Sequence, residues 1–428
     1  MKRFLFGALV LSNLCAPAFA LEDQRDFNPA ISVILDGVYY HDDTDGEGLE
    51  RLEAVESIFG GHGHGEEHGH GGLVRGFNLR ETELTLSGNV DPYFDAWLTA
   101  AFGEEGVELE EAWVRTQALP HGLQLKGGRF LSAVGYHNEK HLHSWNFTDQ
   151  NLAYRSLFGD HGLRGNGLQA TWLAPTANFL KIGVEALQGN ELERFGAGID
   201  AGETAELIAT EAGLSEEPEL GLDDKAGPGL GMAWVRFGPA LGAGQGLQLG
   251  LSIARHRDSQ SLHEEEGTPP DFVVTQGETD LYGLQTVYKL FPDGAYGRGG
   301  WTLQAEYFQV ENREDATYAT DSADAGLRVE REMGAGYAEL LYGFAPRWQL
   351  GLRHAATGIG GEIRAGDETR ELGISRRNSL ALSWYATEFS KLRLQFSRND
   401  LEDGEDEAFN QLFLQYNLSL GAHGAHSF

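Results

Sequence analysis

The chain of 428 residues has one cysteine, twelve prolines and no apolar run long enough to cross a bilayer as a helix. Each shortage excludes something. The single cysteine, Cys15, lies in an N-terminal segment with the marks of a secretory leader: basic Lys2-Arg3, an apolar stretch over 4–15, then Pro17-Ala18-Phe19-Ala20. Cleavage is expected after Ala20, giving a signal peptide over 1–20 and a mature chain over 21–428 without disulfides. Leu14 before Cys15 is too bulky to suit lipoprotein processing. A helix-spanning inner-membrane protein is excluded, because a spanning helix needs about 20 consecutive apolar residues. Basic residues are also few, 32 against 65 acidic ones, a formal net charge of −33. That balance argues against nucleic acid as a partner and against a general attraction for anions. Disordered acidic chains are poor in aromatics, whereas here they reach 11%, so the chain is ordered. Neither G-x-S-x-G nor H-E-x-x-H occurs, and we expect no enzyme.

What is present is alternation. Leu247, Leu249, Leu251 and Ile253 interleave with Gln248, Gly250, Ser252 and Ala254. Leu392, Leu394 and Phe396 alternate with Lys391, Arg393, Gln395 and Ser397, and Leu412, Leu414, Tyr416, Leu418 and Leu420 with Gln411 through Ser419. Period two with one apolar face is a strand signal. Such segments, joined by alternately short and long connections, predict a transmembrane antiparallel β-barrel of about sixteen strands. Strands are expected near 30–41, 77–87, 93–102, 107–117 and 122–130, then near 167–174, 179–188 and 229–237. The later ones fall near 246–256, 279–290, 300–310, 334–343, 347–357, 376–386, 389–398 and 408–420. Over 77–87 the apolar phase shifts from Phe77 and Leu79 to Leu84 and Leu86, which predicts a bulge. Seven of the eight tryptophans, all but Trp145, fall on expected strands, often near an end, as with Trp234, Trp301, Trp348 and Trp384. That placement predicts interfacial girdles.

Three runs add a resemblance. Val90-Asp91-Pro92-Tyr93-Phe94, Glu110-Glu111-Ala112-Trp113 and Leu125-Lys126-Gly127-Gly128-Arg129-Phe130, followed by a long loop and Gly167-Leu168-Gln169, resemble outer-membrane porins of the phosphate-selective porin superfamily. The likeness is strongest over 80–175 and implies sixteen strands, with the third external loop folded into the lumen as a constriction. It does not carry phosphate selectivity across, because that property relies on dense Lys and Arg whereas Glu81, Glu83, Glu108 and Glu110 are the lumen candidates here.

The constriction loop is expected over 131–165. Its candidate residues are His137, Glu139, His141, His143, Asp149, Arg155 and Arg164, the two arginines expected to pair with acidic wall residues. His141 and His143, two apart on extended chain, share a face and are candidate metal ligands once a carboxylate joins them. The first external loop, 42–75, holds His62, His64, Glu66, Glu67, His68 and His70, imidazoles and carboxylates suited to Zn²⁺ or another divalent metal. No cofactor is required. The function expected is passive diffusion of small hydrophilic solutes or metal ions, zinc above all, through an acidic lumen in the outer membrane of a Gram-negative bacterium. Partners are outer-membrane lipid and, as a homotrimer, further copies of the chain. The alternative is a barrel that acts as a surface binding or adhesion protein through its long loops.

Overall fold

The computed structural model describes residues 29–421, apart from 45, 56–58, 60–72, 104–105, 190–191, 193, 197, 224–226, 266, 268, 293, 322–323 and 403–406. The expected signal peptide, the histidines of the first loop (62–70) and the C-terminal tail lie outside the described residues. Strands β1 (Ala30–Asp42), β2 (Gly76–Asn89), β3 (Phe94–Gly103), β4 (Gly106–Thr116) and β5 (Leu123–Leu131) precede the central loop. After it come β6 (Arg164–Leu173), β7 (Phe179–Leu187) and β8 (Leu230–Gly238). Five long strands follow: β9 (Gln245–Glu265), β10 (Asp271–Leu290), β11 (Trp301–Ala319), β12 (Arg328–Ala345) and β13 (Trp348–Ala365). A short strand, β14 (Glu368–Glu371), pairs only with the far end of β13. The last staves are β15 (Ser375–Thr387), β16 (Ser390–Asp400) and β17 (Phe409–Gly421). Every stave is antiparallel to its neighbour, and β1 pairs with both β2 and β17. Sixteen strands therefore close into a barrel whose belt is paired all the way round, as spanning by strands requires, because hydrocarbon satisfies no backbone N–H or C=O.

The outward set is the alternating apolar one. Leu249, Leu251, Ile253, Leu352, Leu380, Leu394 and Leu414 are all exposed, whereas their neighbours Gln248, Ser252, Arg353, Ser379, Arg393 and Gln415 are buried inside. Trp301 stacks on Tyr342 at 4.2 Å and Trp348 lies beside Trp384 on the outside, near the short turns. Three tryptophans correct the girdle expectation. Trp234 is buried and reaches Glu185 through its Nε1, and Trp97 and Trp113 stack with rings 4° from parallel on the face that carries Thr99 and Glu111.

Strands β9 to β13 run to 18–21 residues, well beyond the sequence expectation and the roughly 9–11 residues that cross a bilayer. Their far halves carry Ser259, Ser261, Thr275, Asn312, Glu314 and Arg331, hydrogen-bonded among themselves. On the opposite face Leu262, Phe272 and Val274 stand among Gln260, Glu264 and Gln276, so no continuous aliphatic face marks these halves in the sequence. The long loops also carry helices: a single turn, α1 (Glu50–Glu53), after β1, then α2 (Leu152–Phe158) after β5, and after β7 an unexpected helix, α3 (Ala201–Glu211), capped by Asp200. Its Ala205 and Ile208 pack with Leu262, Phe272 and Val274.

Gly128 sets the exit of β5 toward the central loop. Its φ is +134°, and an added Cβ would lie 2.2 Å from the Ala112 carbonyl oxygen. Gly128→Val is expected to break the β4–β5 pairing, with about 1–3 kcal/mol lost to backbone strain alone. Heat-modified migration on gels, which separates folded from unfolded barrel, checks this: an unshifted folded band would show that the strand tolerates a side chain there.

Candidate functional site

The loop over 132–163 turns inward and crosses the lumen. Asn138 ties its two legs together, its Nδ2 donating to the carbonyls of Ser132 (2.8 Å) and Leu163 (2.7 Å) and its Oδ1 accepting from Leu163 N (2.8 Å). Near its start, Ser132 Oγ and Ala133 N donate to Glu185 on β7 (2.6 and 3.0 Å). Farther along, Glu306 on β11 accepts from Tyr136 N, His137 N and the Tyr154 hydroxyl, each at 2.9 Å, and also from the Tyr337 hydroxyl. Within the loop, Asn151 caps a two-turn helix, α2 (Leu152–Phe158), by accepting from Tyr154 N. Leu152, Leu157 and Phe158 join Phe308, Met333, Ala335 and Ala355 of the wall in one apolar cluster. The loop and α2 thus fill the β7–β13 side of the barrel.

The other side of the lumen is divided by charge. On β13–β16, Arg353 and Arg377 each hold Asp149 at 2.6 Å, Gln395 donates to Asp149 at 2.5 Å, Arg393 donates to Trp145 O (3.1 Å), and Lys391 to His143 O (3.0 Å). Facing them on β2 and β4 are Glu81, Glu83, Glu108, Glu110 and Glu111. Two bulges put these carboxylates there. Between β1 and β2 the register slips so that Arg80 is the extra residue, at the place where the apolar phase shifts. Between β3 and β4 the extra residue is Glu110. A bulge inserts one residue and re-aims its neighbours, so Arg80 and Glu81, and likewise Glu110 and Glu111, turn to the lumen as consecutive pairs.

The loop histidines meet this acidic wall. His141 Nδ1 lies 3.1 Å from Glu110 and 3.9 Å from Glu83, and its Nε2 lies 2.9 Å from Glu111. His143 Nδ1 lies 2.9 Å from Glu83, and the two imidazoles stack with planes 5° apart. Burial alone would lower the His141 pKa, but Glu110 and Glu83, with the hydrogen bonds to Glu110 and Glu111, raise it well above its ordinary value. His137 behaves oppositely: burial and nearby Lys140 press it down to about 3. It sits among Trp145, Tyr154 and Tyr337 and bonds Gln150 at 2.6 Å, so it packs the loop apart from the other two histidines. Glu139 pairs with Arg236, and Arg164 with Glu108. Arg155 departs from expectation: it pairs with Asp160 at 2.5 Å, within the loop itself, because α2 brings the two together.

Two cavities meet at this segment. One of about 230 Å³ lies on the long-loop side, lined by Leu49, Leu73, Glu81, Glu110, His141 and Asp149. Another of about 870 Å³ opens toward the short turns, lined by His143, Arg347, Glu388, Lys391 and Arg393. Trp145 lines both.

A closed sixteen-stranded barrel with an aliphatic outer belt and an inward-folded loop is an outer-membrane barrel of the porin-like kind. No family model matches the chain. It is 33% identical over 414 residues, 95% of its own length and 81% of the other's, to an uncharacterised protein of Aquifex aeolicus (strain VF5), and it belongs to that protein's family. Among solved structures it is similar to a loop L8 deletion mutant of OmpT, an outer membrane protein of Vibrio cholerae (TM-score 0.52, 8% identity, covering 91% of this chain and 98% of that one). It is also similar to the outer membrane channel DcaP of Acinetobacter baumannii (TM-score 0.51, 12% identity, 91% and 96%). These last two likenesses concern the fold.

Proposed function

We propose that the protein is a passive channel for small hydrophilic solutes, with a waist at residues 141–145 that favours cations. The observation that carries this reading is the pair of cavities, one lined by His141 and the other by His143, which share Trp145. DcaP, similar in fold, is described as an outer membrane channel, which supports the same reading. Cation preference follows from where charge remains available. Arg353, Arg377 and Arg393 are almost wholly buried and are engaged by Asp149, Trp145 O and side chains of their own wall. Glu110 lines the outer cavity, where Arg80, Arg155 and Arg377 are each engaged by a carboxylate, of Asp36, Asp160 and Asp149, and an acidic lining admits cations over anions.

Planar-bilayer recording tests both parts. Reconstituted protein is expected to give ion-permeable openings and, under a salt gradient, a reversal potential on the cation side. Sealed bilayers would favour the surface-binding reading, and an anionic reversal potential would contradict the acidic waist.

A further inference from the structure

We propose that His141, Glu110 and Glu83 form a divalent-cation site of the zinc type at the waist of the lumen, held by Glu111 and His143 as outer partners. It rests on the channel reading only for the route by which an ion arrives.

Three observations carry it. The first is spacing. Donor atoms on a tetrahedral zinc at about 2.0–2.1 Å stand roughly 3.4 Å apart. The His141 Nδ1–Glu110 and His141 Nδ1–Glu83 separations, 3.1 and 3.9 Å, bracket that edge, and one donor atom from each of the three side chains lies within 4.8 Å of the others. The second is the support behind the donors. A metal-bound histidine ordinarily gives its other ring nitrogen to a carboxylate or carbonyl, and ligating carboxylates are themselves hydrogen-bonded. His141 Nε2 is 2.9 Å from Glu111, whose other oxygen accepts from Leu131 N (3.1 Å). Glu83 is bonded by His143 on one oxygen and by Thr85 Oγ1 (2.9 Å) on the other. The third is the wall. The bulge at Glu110 turns two consecutive glutamates inward where plain alternation would turn one, and the cations nearby are engaged elsewhere. Arg80 donates to Asp36 and Thr148 O, and Lys126 lies over the Phe130 ring at 4.1 Å.

The ligand chemistry is one imidazole nitrogen and two carboxylate oxygens, with one position open to water. Zinc accepts this set. Binding breaks the His141–Glu110 hydrogen bond, and the hydrogen between them leaves to solvent.

The test uses the full chain in detergent, with His62, His64, His68 and His70 replaced by asparagine so that the first loop does not compete, and zinc chloride alone as the probe. Calorimetric titration is expected to show one zinc equivalent that disappears in His141→Gln. Glu111→Gln, which leaves the donors in place, is expected to weaken that equivalent by about 10–100-fold. Unchanged stoichiometry and affinity in His141→Gln would overturn the site. Heat-modified migration confirms that each variant is folded, and Glu110→Gln, nearly isosteric, decides if His141→Gln is not. Potassium conductance of the same preparations separates the two claims. Conducting protein whose zinc binding ignores His141 defeats the site alone; silent protein that loses a zinc equivalent with His141 defeats the channel alone.

Discussion

Asp149→Ala is expected to free the constriction loop from the β13–β16 wall and to raise single-channel conductance severalfold. Asp149 is the loop's only described carboxylate on that wall, held by Arg353 and Arg377 and also by Gln395. Both arginines are buried to within a few per cent. Breaking a buried pair by removing one partner costs about 3–5 kcal/mol, because the remaining charge is left without compensation. Burial by itself would raise the Asp149 pKa, but Arg353 and Arg377 hold it below the usual aspartate range. The sign follows. A carboxylate depressed in the folded state contributes its stability above its unfolded pKa, about 3.9, and loses it only as the pH falls through the lower folded value. Wild-type conductance is therefore expected to step up only below the ordinary aspartate range. Asp149→Asn, which keeps the shape but not the charge, should start from the higher level and lack that step. Equal conductance in wild type and Asp149→Ala would mean that the ties on the other side hold the loop unaided.

Those other ties define the second large effect. Glu306 accepts two loop N–H groups and two tyrosine hydroxyls, and an added Cβ on Gly135 would lie 2.2 Å from Glu306 Oε2 and from the Tyr154 hydroxyl oxygen. Leaving a buried donor unsatisfied costs about 1–3 kcal/mol. Four donors served by one carboxylate make Glu306→Ala the most damaging single change we foresee for the loop. Hydrogen exchange across 132–163 is expected to rise by two orders of magnitude or more, with little change in the strands. Glu306→Gln, which retains one acceptor oxygen, should fall between. Protection unaltered in Glu306→Ala would place the anchorage in the apolar cluster around α2 instead.

The aliphatic outer face, the inward polar set and the position of the loop between the fifth and sixth strands were legible because they are local. Alternation concerns residues two apart, and a lipid-facing strand must show it. The phase break at Phe77–Leu86 was legible for the same reason. The upper halves of β9–β13 were not, since the few apolar residues on the outer side of β9 and β10, Leu262, Phe272 and Val274, stand among polar ones and are covered by α3. Trp234 was misplaced because strand ends and lumen floor call for the same residue type.

The site was legible only in part. His141 and His143 could be singled out as sharing a face, and Glu83 and Glu110 as facing inward. Glu111 could not, because strict alternation turns it away from the lumen when Glu110 faces it, and only the bulge admits both. Nor could Arg353, Arg377 or Glu306 be matched to the loop. Asp149 and Arg353 stand 204 residues apart, and His143 and Lys391 248, so no local pattern relates them. The sequence by itself determined a barrel, its lipid-facing surface and a loop long enough to cross it. Closure of β1 on β17, the register slip at Glu110 and the path of that loop then decided which charges meet. Those are properties of strand pairing around the whole ring, and nothing in a single strand encodes them.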